Sequence, residues 1–106
     1  DASNIAMLEN AVQMALTNDD AYNDVMSGLG TDDSYTVKIT NGSTTAIYTK
    51  GSTSVTDNFK SELEQIVQNW PEVKDREKKA FLITIKSTTS GEPDITVSTT
   101  SAAATP

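Results

Sequence analysis

The side chains that could do chemistry in this chain include carboxylates, hydroxyls, amides and a single indole. Its 106 residues include 15 Asp and Glu but no His and no Cys. That excludes thiol nucleophiles, zinc thiolate sites, disulfides and imidazole acid–base work together. Asp19, Asp20 and Asp24 could offer oxygens to a calcium ion, which needs several at short range. They lack the spacing of a calcium-binding loop, and on a helix Asp20 and Asp24 only share a face, so helix capping is the simpler reading. Asp32-Asp33 reads as a turn. A glycosidic acid–base pair needs two carboxylates at a fixed separation, and nothing marks such a pair. No Gly-x-Ser-x-Gly turn surrounds any serine. The expectation is a protein that is not an enzyme, with no catalytic set, no metal site and no cofactor.

Charge narrows the partners. A net −7 opposes nucleic acid, which needs a basic face, and an anionic membrane surface. The run of charge from Lys74 to Lys79 could meet an acidic neighbour, but a solvated loop is the simpler reading. Asn41-Gly42-Ser43 is formally an N-glycosylation sequon, but a turn also needs Asn-Gly there. Trp70 reads as a core anchor at a helix end, with a ligand-binding surface as its other use.

The elements that must position these residues follow from periodicity. Asp1 to Thr17 reads as a helix. At about 100° per residue, Met14, Met7, Ala11, Ala15, Leu8, Val12, Ile5 and Leu16 fall in order around an arc of about 200°. One core needs a stripe only a little over roughly 100° wide. Ile5, Leu8, Val12 and Leu16 suffice for that core. The surplus, Met7, Ala11 and Met14, asks for a second partner, and methionine's adaptability suits packing between copies. Asn18 or Asp19 caps a short second helix with Tyr22, Val25 and Met26 on its buried side, ended by Gly28 and Gly30.

Tyr35, Val37 and Ile39 alternate with polar residues as a strand. A two-residue turn at Asn41-Gly42 would set Ala46 opposite Val37 and Tyr48 opposite Tyr35, with Ile47 on the other face. The loop GSTSVTDN leads to a helix from Val55 to Trp70, N-capped by Ser54 or Thr56, whose stripe holds Phe59, Leu63, Ile66, Val67 and Trp70. Pro71 stops it. AFLITIK and DITVST form a second hairpin. The fold class expected is α+β: an N-terminal helix on an antiparallel sheet of about four strands, with a further helix between two hairpins. It forms one domain over residues 1–100, with a tail at 101–106.

The opening DASNIAMLENAVQMALTNDDAY, a glycine-bearing loop and an antiparallel sheet resemble the soluble part of a type IV pilin or type II secretion pseudopilin. The likeness is greatest to the Cys-free pilins of Gram-positive bacteria such as clostridia. In that family the first half of a long helix is an apolar segment, released by a prepilin peptidase, that anchors in the membrane and then fills the filament axis. The second half packs on a sheet. The resemblance implies that this chain begins within the second half. It also implies partners that are copies of itself and other pilin subunits, and a location on the cell surface after membrane anchoring. The resemblance implies that the Gly/Phe-Thr-Leu-x-Glu processing site would lie upstream of Asp1. The helix between the hairpins is not universal in the family, and no C-terminal cysteine pair pins the last strand. The alternative classes are a secreted adhesion or ligand-binding module that does not polymerise, and a small enzyme or enzyme inhibitor.

Overall fold

A computed structural model of the chain describes residues 2–42, 45–74 and 80–100. Asp1, Ser43, Thr44, the stretch 75–79 and the tail at 101–106 lie outside the described residues, and with them the third residue of the sequon and most of the charged run. The fold is α+β. The helices are α1 (Ala2–Ala15), α2 (Asp19–Met26) and α3 (Asn58–Ile66). The strands are β1 (Tyr35–Thr40), β2 (Ile47–Lys50), β3 (Thr53–Ser54), β4 (Ala80–Ser87) and β5 (Pro93–Thr100). They form one antiparallel sheet in the order β3-β2-β1-β4-β5. The sheet has five strands where about four were expected. The addition is β3, two residues too short to carry an alternation. Gly51, at φ +63°, supplies the positive φ that the first residue of the Lys50–Thr53 hairpin loop needs.

The helices cover one face of the sheet. Tyr35, Val37, Ile39, Tyr48, Phe81, Ile83, Ile85 and Val97 point into that layer and are buried. Leu8 and Val12 of α1, Ala21 and Val25 of α2, and Phe59 and Leu63 of α3 close over them, each fully buried. Phe59 sits edge-on to Tyr35, with ring centroids 5.2 Å apart at 85°, and to Tyr48 at 6.3 Å and 77°. Of the expected core, Leu8, Val12, Phe59 and Leu63 lie at its centre. Ile5, Leu16 and Trp70 pack against it half-buried.

The opposite sheet face carries Thr36, Lys38, Thr49, Thr84 and Lys86. Ile47 stands among them, as the alternation predicts, and is 57% exposed.

The first hairpin corrects the expected register. Val37 pairs with Tyr48 and Tyr35 with Lys50, two residues further along β2 than a two-residue turn gives. A slip of two keeps each side chain on its face, so the core is unchanged. The cause is Asn41. Its Oδ1 accepts the Val73 N–H at 2.8 Å and its Nδ2 donates to the Val73 carbonyl at 2.9 Å, clasping a strand of chain 32 residues away. No described non-glycine residue has positive φ, so Asn41 does not take the left-handed conformation that a type I′ turn requires.

Helix α3 is also shorter than the Val55–Trp70 expectation. Its N-cap is Asp57, not Ser54 or Thr56: the carboxylate accepts the Lys60 N–H at 3.0 Å. At the other end the β-branched Val67 leaves the helix in an extended conformation, φ −103° and ψ 94°. The exit brings Val73, 5% exposed, into the core.

Candidate functional site

The residues expected to meet a second partner lie on the outer flank of α1. Met7 is 37% exposed and Met14 60%. These two and Ile47 are the large apolar side chains left exposed among the described residues. Ala11, expected to share that surface, is corrected: it is 4% exposed and belongs to the monomer's own core. The reason is its size. Where α1 runs beside α3, the methyl of Ala11 lets the helices approach, whereas Met7 and Met14 reach past the contact into solvent.

The result is a groove of about 480 Å³ between α1 and the end of α3. Ala11 lies along it, beside Ala6, Met7 and Met14 from α1, Ile66 at the end of α3 and Val67 just past it. Ile66 and Val67 were legible as members of the α3 stripe, but their place beside α1 was not. Periodicity assigns a face to each helix and does not say which helices adjoin.

A polar network sets α3 in position. Asn18 caps α2 by accepting the Ala21 N–H at 3.0 Å and donates to Glu62 of α3 at 3.3 Å. The Asp24 carboxylate accepts the Asn58 N–H at 2.7 Å. Asp57 accepts the Tyr35 hydroxyl at 2.8 Å, and Glu64 accepts the Tyr48 hydroxyl at 3.3 Å and Lys60 at 2.6 Å. Lys50 donates to the carbonyls of Asp24 and Ser27, at 2.7 and 2.6 Å, where α2 ends and a cation is favoured. Burial, then the adjacent carboxylate, pushes both buried tyrosines far above the ordinary range: Asp57 acts on Tyr35 and Glu64 on Tyr48. Both hydroxyls therefore stay protonated and donate.

This network accounts for the acidic residues that could have suggested chemistry. Asp19 and Asp20 occupy the first turn of α2, and Asp24 anchors α3. Among the described residues no three acidic side chains converge as metal ligands, and no helix is long and apolar enough to cross a membrane. Compared with protein-family models, curated proteins and solved structures, the chain matches none.

Proposed function

We propose that this chain is the soluble domain of a structural subunit of a type IV pilus or pilus-like filament, and that it packs against neighbouring copies through the outer flank of α1. The observation that carries the reading is the pair Met7 and Met14. One helix buries one side in its own sheet and leaves two large apolar side chains beside a groove on the other. Repeating one such heterologous contact along an axis grows a fibre, because the contact need not close. Thr36, Thr49 and Thr84, on the far face of the sheet, would then look outward.

The magnitude says how the contact must work. Full burial of a methionine is worth about 1.5–3 kcal/mol. With 37% and 60% of the two still exposed, covering both yields roughly 1.5–3 kcal/mol. Millimolar affinity already needs about 4 kcal/mol. The flank therefore orients subunits, while the bulk of the assembly energy comes from the apolar helix half that the pilin resemblance implies. The domain by itself is expected to stay monomeric.

The test uses the complete gene in cells that assemble the fibre. Met7→Glu with Met14→Glu should leave the domain folded and the subunit membrane-anchored while filaments fail. Normal filaments from the double variant would refute the reading. Reading the gene upstream of Asp1 separates the alternatives: about 20 apolar residues with a Glu near their start mark a pilin, and an ordinary cleavable signal peptide marks the non-polymerising module.

A further inference from the structure

A second concavity lies away from α1, where α3 gives way to β4. Residues 68–72 form a bridge fixed at both ends: Val67 is 6% exposed and Val73 5%, and Asn41 holds Val73 by two hydrogen bonds. Between this bridge and the end of β1 is a pocket of about 390 Å³, within the range of small-molecule sites. Its lining combines one aromatic plane with hydrogen-bonding groups of both kinds. Trp70, the only tryptophan in the chain, lines it beside Pro71. Gln68 and Asn69 bring amides that donate and accept, Thr40 a hydroxyl, and Glu72 a carboxylate that accepts.

We propose that this pocket binds a neutral sugar ring. A pyranose has a face of C–H groups and a rim of hydroxyls. The electron-rich indole face attracts the polarised C–H groups. Amides and a carboxylate match adjacent hydroxyls, each of which needs both a donor and an acceptor. Among the described residues no cationic side chain lines the pocket, and Glu72 is there, so these residues disfavour phosphate, sulfate and uronate ligands. The bridge is set before the ligand arrives, which limits the ordering cost. A single ring of this size is expected to bind in the millimolar range. None of this depends on assembly: Trp70 is not among the residues of the α1 groove.

The experiment titrates the folded chain with glucose, galactose, N-acetylglucosamine and glucuronate, following Trp70 fluorescence and amide chemical shifts. Saturable binding of at least one neutral sugar is expected, with shifts confined to residues 40–42 and 68–72 and no binding of glucuronate. Asn69→Ala and Glu72→Ala alter exposed side chains and should fold normally while weakening that binding about tenfold or more. Absence of saturation with every neutral sugar, glucuronate binding as well as the neutral rings, or unchanged affinity in both variants would overturn the proposal. Choline binding in place of sugar, as a single-aromatic cation site would show, would overturn it too.

Discussion

Replacing Asp57 with alanine removes two interactions at once. The carboxylate caps α3 through the Lys60 N–H at 3.0 Å and receives the hydroxyl of Tyr35 at 2.8 Å. Loss of a side-chain N-cap costs about 1 kcal/mol, within a range of about 0.5–2. Tyr35 is fully buried, so its hydroxyl is left without an acceptor, at about 1–3 kcal/mol. The sum is about 2–4 kcal/mol, a large share of the 5–15 or so that holds a domain together. At about 4–8 °C per kcal/mol for a chain of this size, the melting temperature should fall by roughly 8–32 °C.

A double-mutant cycle separates the two parts. In a Tyr35→Phe background no hydroxyl is orphaned, so Asp57→Ala should cost only the cap, about 1 kcal/mol. Urea denaturation followed by far-ultraviolet circular dichroism reads all four proteins. A loss below about 1 kcal/mol from Asp57→Ala alone, or equal losses in both backgrounds, would refute the reasoning.

Three further outcomes follow from the same contacts. Tyr35 and Tyr48 have folded-state pKa values raised above the ordinary 10.0 by burial and then by Asp57 and Glu64. The folded state thus holds these protons more tightly than the unfolded chain, and their contribution, complete below about pH 10, is lost as pH rises above it. Urea midpoints should fall in that alkaline range, and Tyr35→Phe with Tyr48→Phe should flatten the fall. Asn41→Ala removes both bonds of the Val73 clasp, and should lower stability by about 1–3 kcal/mol and selectively speed hydrogen exchange around Val73. Sedimentation of the 106-residue chain at micromolar concentration should show a monomer, since two partly exposed methionines supply too little for a dimer.

Elements whose signal is local were legible in the sequence. Tyr35, Val37 and Ile39 declare a one-sided strand by alternation, and Phe81, Ile83 and Ile85 do the same. Asn18 and the aspartates behind it declare the start of α2. What was hidden depends on distant chain. At the end of β1 the Asn41 side chain serves Val73, 32 residues away, instead of a tight turn. The early end of α3 was masked because Val67 and Trp70 continue the helical period, although Val67 is buried from an extended backbone. Leu29 and Val73 enter the core from turns and loops where no periodicity exists. On the candidate surface, the width of the α1 arc was enough to mark Met7 and Met14. Ala11 could not be placed, because whether a methyl group faces a neighbour or floors a groove depends on how closely α3 approaches.

These 106 residues hold no cysteine, so a thiol introduced among them can report whether α1 serves two partners. M14C and, as a control on the far face of the sheet, I47C are introduced singly into the complete gene; both sites are well exposed in the monomer, at 60% and 57%. Maleimide labelling is then compared between soluble domain and assembled fibre. The account predicts that position 14 reacts freely in the domain and is protected in the fibre, while position 47 reacts in both. Equal labelling of position 14 in the two states would contradict it.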